Sequence, residues 1–403
     1  MKKKLIFISS YNYDSLLFDK FNLQTFIDST KIETELWKLD FNSNILKNKN
    51  DNVYYKSKLQ ESKLKKEIKI IKNYKDLIKL IKTTNNNCFI FDFDFISRNP
   101  FFSLITKLMG ARLIFHGLAQ FPIVEIKTGD LKNKLKNIKI KNLFYFFFKF
   151  LKFLCKKVIF YLFTVKLDIF FYNGTFEKKN SDKISKRSIG LFTRDYGRYI
   201  KENNNYNTRL VKEDYILFID MGYPIPYDNY FSEEKPVTSA DNYNNAILKL
   251  LNSVQKYFQK KIVVALHPRS NKTNFNDFES YKDQTDHLVR HSYFVVSHDS
   301  LSLQFVALWN KPCLLLYNND MINRLTKKKE INWFIEKMNL LSLNIDKFDN
   351  YEIKSKIDFI NINMKENYYE KFINEFIIDH DAKKQIASNS VPDLIIEEIC
   401  KYQ

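Results

Sequence analysis

The sequence predicts an α/β protein built from two parallel, doubly wound sheets in tandem, and three observations carry that prediction. The chain has 403 residues, too many for one ordinary core and suited to two domains of roughly 150–200 residues. Short apolar runs that end in a carboxylate, such as 88–93 (CFIFDF) and 215–220 (YILFID), have the pattern of buried parallel strands. Stretches of helical period lie between such runs, so strand and helix alternate. With only 7 Gly and 8 Pro, a loop-rich sandwich or a glycine-rich repeat array is disfavoured, and no internal repeat is visible.

The first domain is expected over residues 1–200. Residues 5–9 read as a buried strand. The four apolar residues between the opening lysines and Ser9 are too few for an export signal. Residues 16–29 have helical spacing. Residues 43–75, rich in Lys and Asn with alternating charge, read as a solvated helix or helix pair. The strand at 88–93 carries Asp92, with Asp94 just beyond. A helix over 101–109 is closed by Gly110, and a strand over 112–116 ends at His116. Residues 167–172 and 188–192 read as the last strands. The asparagine-rich stretch 201–209 is the expected linker.

Residues 131–166 stand apart. Five lysines between 132 and 141 lead into an aromatic run interrupted by Lys149, Lys152, Lys156 and Lys157. Four central lysines oppose a spanning helix. Positions 149, 152 and 156 share one helical face, the pattern of a helix lying in the membrane interface with Lys at anionic headgroups. The bland alternative is a core helix with a lysine-rich solvent face.

The second domain is expected over 205–385, followed by a C-terminal helix over 386–403. A strand at 215–220 ends at Asp220, and Asp220-Met221-Gly222 follows it. A proline-containing loop leads to a helix over 242–259. A strand over 262–266 ends at His267-Pro268-Arg269. A strand over 294–297 runs into His298-Asp299-Ser300-Leu301-Ser302, then a helix over 303–309, and Lys311-Pro312 introduces a strand over 313–317. In doubly wound sheets ligands sit beyond the carboxyl ends of the strands. His267 and Ser300 both stand there.

Those positions carry the candidate chemistry. A strand-end histidine donates to a phosphate oxygen, and Arg269 adds a fork of donors. Ser300 and Ser302 open a helix whose free N–H groups and dipole favour an anion. Singly, these residues are no more than a loop histidine and an N-cap. His287 and His291 have the i, i+4 spacing that suits a metal on a helix. With no HExxH pattern they read as solvent-facing, and no metal site is expected.

Charge and cysteines set outer bounds. The excess of 65 Lys+Arg over 46 Asp+Glu gives +19, a surface that attracts nucleic acid, anionic lipid or phosphorylated substrates. The Lys, Asn, Ile and Phe bias is that of an AT-rich genome, so composition alone carries little function. Cys88, Cys155, Cys313 and Cys400 form no CxxC pair, and a reducing compartment fits.

Across about 215–320, the run VVALHPRS followed by LVRHSYFVVSHDSLSLQFVALWNKPCLLL resembles the C-terminal domain of GT-B glycosyltransferases from bacterial capsule and lipopolysaccharide gene clusters. It is particularly similar to the sialyltransferase-like and Kdo-transferase-like branches. The resemblance implies a GT-B fold, two Rossmann-like domains facing a central cleft. It implies a nucleotide-sugar donor, CMP-linked to an acidic sugar, and a surface-glycan or glycolipid acceptor. His267 and Pro268 match the HP motif, with Arg269 and His298 beside the site; Ser300 and Ser302 match the phosphate-binding serines. The acidic pair followed by Gly that supplies the general base in many relatives has no counterpart in the first domain. Asp220 and Asp92 are the candidates for that role, with Asp14 and Asp94 behind them. No cofactor and no metal are required, and the enzyme is expected in the cytoplasm, peripheral on the inner face of the membrane.

Two other readings compete. Teichoic-acid polymerases, which move polyol phosphate from a CDP-linked donor, are similar in the HP motif and serine loop. They usually show Asp-Tyr-Ser-Ser where this chain has His298-Asp299-Ser300-Leu301-Ser302. A basic nucleic-acid-binding protein is supported by charge alone, without a recognisable motif, so no nucleic-acid partner is expected.

Overall fold

The computed structural model describes residues 2–9, 18, 21–39, 68–84, 88–92, 100–116, 166–204, 209–223, 239–267, 275–363, 368–379, 382 and 390–402. The segment at 131–166 expected to lie in a membrane interface falls, apart from Lys166, outside these residues, as do Asp14, Asp94, Pro268 and Arg269.

The first sheet contains β1 (Lys3–Ser9), β2 (Ile32–Leu39), β3 (Ile68–Ile71), β4 (Cys88–Asp92), β5 (Arg112–His116), β6 (Leu167–Asn173) and β7 (Ser185–Leu191). Its helices are α1 (Leu23–Ile27), α2 (Tyr74–Thr83), α3 (Pro100–Leu108) and α4 (Gly174–Ile184). The strand order is β3-β2-β1-β4-β5-β6-β7, and every pairing is parallel. After β7, α5 (Arg194–Asn204) leads to the second sheet.

The second sheet is made of β8 (Tyr215–Ile219), β9 (Lys261–Leu266), β10 (Glu279–Lys282), β11 (Val295–Ser297), β12 (Cys313–Tyr317) and β13 (Leu341–Asn344). The helices with it are α6 (Ala240–Phe258), α7 (Thr285–His291), α8 (Leu303–Leu308), α9 (Asn319–Asn323), α10 (Leu325–Met338) and α11 (Asn350–Asn363). Its order is β10-β9-β8-β11-β12-β13, again wholly parallel. Numbered from its own first strand, each sheet begins 3-2-1-4-5-6, the doubly wound nucleotide-binding order. The chain is therefore two Rossmann-like α/β units.

Local sequence explains the elements. All five residues of β8 are buried, because helices cover both faces of a parallel sheet. In α6 the buried residues Tyr243, Ile247, Leu250, Leu251 and Val254 form one stripe at helical spacing. Ser239 caps that helix by accepting the Asn242 N–H.

The chain closes back on itself. After α12 (Tyr368–Phe372) and a π-helical turn (Ile373–Ile377), Phe192 and Ile378 form a bridge beside β7. The final helix, α13 (Val391–Lys401), carries a Ser390/Asp393 capping box. It buries Leu394, Ile395, Ile396 and Ile399 in the first core, beside Leu5, Phe7 and Phe26. Each contributes about 1.5–3 kcal/mol of burial. Gly174, at φ +66, lies so close to the π-helical turn that a Cβ there would stand 2.4 Å from the Glu375 carbonyl oxygen.

Several expectations need correction. Ile68–Ile71 is a strand paired to β2, not part of a solvated helix. Residues 201–204 are the last turn of α5, not a linker, and α5 packs against α7 and α8. The helix expected over 16–29 forms at Leu23–Ile27, with Phe18 also helical. The strand β2 and the helix α4 were not anticipated.

Candidate functional site

The order of the second sheet reverses between β8 and β11, so a crevice opens between their carboxyl ends. Asp220 follows β8, His267 follows β9 and His298 follows β11. Because β9 and β11 flank β8, the His267 and Ser300–Ser302 segments stand roughly 10 Å apart across two strand spacings.

Asp220 is buried and fixes the turn. Its N–H donates to the Ala265 carbonyl at 2.9 Å, and its carboxylate accepts the Gly222 N–H at 2.8 Å. The His267 N–H also donates to that carboxylate. Burial pushes the carboxyl above its ordinary range, and the two N–H donors pull it back. Gly222 takes the left-handed conformation, φ 70, that the turn needs. Asp220 thus positions the backbone of His267, which is half-buried.

His298 corrects the expectation that it touches the donor. It is 0% exposed, and both ring nitrogens are engaged. Nδ1 lies 3.0 Å from the Leu316 carbonyl, so it carries the proton; Nε2 accepts from the Tyr243 hydroxyl at 2.8 Å. Burial lowers its pKa to about 4, so the ring is neutral at physiological pH. The histidine is a brace beneath the loop.

Around it a second layer holds the loop. The Tyr223 hydroxyl donates to Asp299 Oδ1 at 2.9 Å, and Lys327 Nζ donates to Oδ2 at 2.9 Å and to Glu330 at 2.6 Å. Ser300 is also buried, its Oγ accepting the Ser302 N–H at 3.1 Å. Ser302 precedes α8, is only partly buried, and makes no side-chain cap. His267 and Ser302 are therefore the partly exposed candidates at these strand ends, while Asp220, His298, Asp299 and Ser300 are buried.

The first sheet reverses between β1 and β4, and Asp92 is the last residue of β4; its side chain lies outside the described set. Further along the same edge, His116 Nε2 lies 3.1 Å from Asn173 Oδ1, and burial lowers that imidazole to about 4. Glu177, accepting the Asn173 N–H at 2.7 Å, is pushed up to about 8 by burial. Two residues past β7, the Thr193 hydroxyl donates to Gln304 of α8 at 2.8 Å. The carboxyl edge of the first sheet thus meets the helix that follows the serine loop.

Sequence reading missed Tyr223, Tyr243, Lys327, Glu330, Asn173 and Glu177. Lys327 and Glu330 lie in a KKKE run that looks like a solvated face. It also misplaced His287 and His291. His287 is buried against Glu202 of α5, not solvent-facing, and His291 Nε2 is buried without a hydrogen-bond partner.

No protein-family model matches the chain, and no curated protein does. Among solved structures, MurG from Acinetobacter baumannii shares 7% identity over 99% of this chain and 100% of its own, with a TM-score of 0.45. The UDP-GlcNAc 2-epimerase from Methanocaldococcus jannaschii shares 10% over 96% and 100%, at 0.47. The kitacinnamycin glycosyltransferase shares 7% over 98% and 99%, at 0.47. Likeness at this level decides nothing about activity. The assignment of two Rossmann-like units rests on the chain's own strand orders.

Proposed function

We propose that this chain is a glycosyltransferase that holds a nucleotide-activated sugar at the β8/β11 crevice. The observation that carries this reading is that the Asp220 turn and the Ser300–Ser302 loop follow β8 and β11, the two strands that flank the switch point, with His267 at the end of β9 beside β8. His267 and Ser302 face the leaving phosphate, with Arg269 following in sequence. Their donors stabilise the charge that develops as the bond between the anomeric carbon and the phosphate oxygen breaks. The acceptor hydroxyl oxygen forms the new bond to that carbon, and its proton passes to a base.

Asp220 is a positioning residue in this scheme, since its carboxylate is already occupied by two backbone N–H groups. Asp92, at the switch point of the first sheet, is the proposed base. The family resemblance supports a CMP-linked acidic sugar as donor and a bacterial surface glycan as acceptor. It and the lysine pattern at 131–166 support contact with an anionic membrane. Among the described residues no helix is long and apolar enough to cross a membrane. The His267→Ala variant should retain the circular-dichroism spectrum and lose transfer; wild-type turnover in that variant would overturn the assignment.

A further inference from the structure

We propose that Glu202, His287 and His291 form a binding site for a zinc-class divalent cation that ties α5 to α7. The donor atoms of the three side chains all lie within 4.8 Å of one another. His287 and His291 stand one turn apart on α7, with ring centroids 4.8 Å apart, and Glu202 approaches from the last turn of α5. Two imidazoles and one carboxylate are a three-ligand zinc set that leaves a fourth position for water. Nitrogen donors disfavour magnesium and calcium, which take oxygen ligands.

The placement separates this site from the donor crevice. The strand β11 starts four residues after His291, and Leu210, whose N–H reaches His287 Nε2 at 3.3 Å, precedes β8. Lys311, just before β12, donates to the Ser292 carbonyl close by at 2.9 Å. All of these mark the amino edge of the second sheet, opposite the edge that carries His267 and Ser302. The site goes beyond the proposed transfer reaction and does not depend on it.

One feature favours a metal over a plain ion pair. His291 Nε2 is buried with no hydrogen-bond partner, which costs free energy unless something occupies it. In the arrangement seen, the His287 Nδ1 proton is shared with Glu202 Oε1 at 2.6 Å. A cation takes that proton's place; the proton moves to Nε2, and the long contact with the Leu210 N–H opens.

The surrounding charge works against binding and provides a test. Arg290 donates to the Glu202 carbonyl at 2.6 Å, lies 3.6 Å from its carboxylate and packs over Trp309. Arg209 and Lys311 add positive potential at His291. Arg290 therefore competes with a cation for Glu202.

The test is calorimetric titration of EDTA-treated, full-length protein with Zn²⁺ near neutral pH, with a parallel melting curve. One equivalent should bind and raise the melting temperature, while Mg²⁺ should do neither. His291→Gln and Glu202→Gln, both checked for native circular dichroism, should each weaken binding by more than about a hundredfold, above the roughly 10–100-fold that loss of an outer-shell partner costs. Arg290→Gln should tighten it by up to about fivefold, the worth of a partly exposed ion pair. Cobalt should give the visible absorption of a four-coordinate site in the wild type and lose it in His291→Gln. Absence of stoichiometric zinc binding, or equal affinity in His291→Gln, overturns the proposal.

Discussion

Replacing Tyr243 with Phe tests whether His298 is a brace. The change removes one oxygen and keeps the ring, which packs 5.8 Å from Tyr223 between centroids. It leaves His298 Nε2 buried with no donor, since Nδ1 is already committed to Leu316. An orphaned buried acceptor costs about 1–3 kcal/mol. For a unit of this size that lowers the melting temperature by about 2–4 °C per kcal/mol. Denaturant unfolding should show a lower midpoint with an unchanged slope. Adding His298→Leu should not restore the loss, because it also takes the Nδ1 donor from the buried Leu316 carbonyl. A loss below about 0.5 kcal/mol in Tyr243→Phe, within the range of surface changes, would refute the brace.

Two further outcomes follow from the same groups and from the sequence. His116 and His298 have folded pKa values of about 4 against an ordinary 6.5, so the unfolded chain binds more protons as pH falls. Their contribution should be complete above pH 6.5 and be lost between 6.5 and 4, up to about 3 kcal/mol for each ring. Urea unfolding across that range should show the slope, and His116→Gln should reduce it; an unchanged slope would contradict the assignment. Replacing Lys149, Lys152, Lys156 and Lys157 with Gln should release the protein from anionic liposomes in a sedimentation assay, and unchanged co-sedimentation would reject the membrane contact.

The parts of the fold that were legible are those whose local pattern matches their burial. The strand β8 reads plainly because all five of its residues are buried. The strand β2 was hidden because Glu33 and Glu35 interrupt it; they are answered by Lys4 and Lys69 on neighbouring strands. Such cross-strand pairing is not visible in a local window. The same division runs through the site. His267 and Ser300 stand out as candidates in the sequence because each follows an apolar run. The hydroxyl that holds His298 Nε2 comes from Tyr243, 55 residues before His298 in the chain. The spacing of His287 and His291 was legible, but the side they face is set by Glu202, 85 residues before His287.

Whether a nucleotide-sugar donor binds at the β8/β11 crevice is decided by a thermal-shift panel of CMP, UDP and GDP. At about a hundred times its dissociation constant a ligand adds about 2.7 kcal/mol of stability, a shift of several degrees. CMP should raise the melting temperature of the wild type more than UDP or GDP, and His267→Ala should abolish the rise. A larger shift with UDP would replace the donor assignment, and no shift with any nucleotide, or an equal shift in His267→Ala, would contradict the site itself.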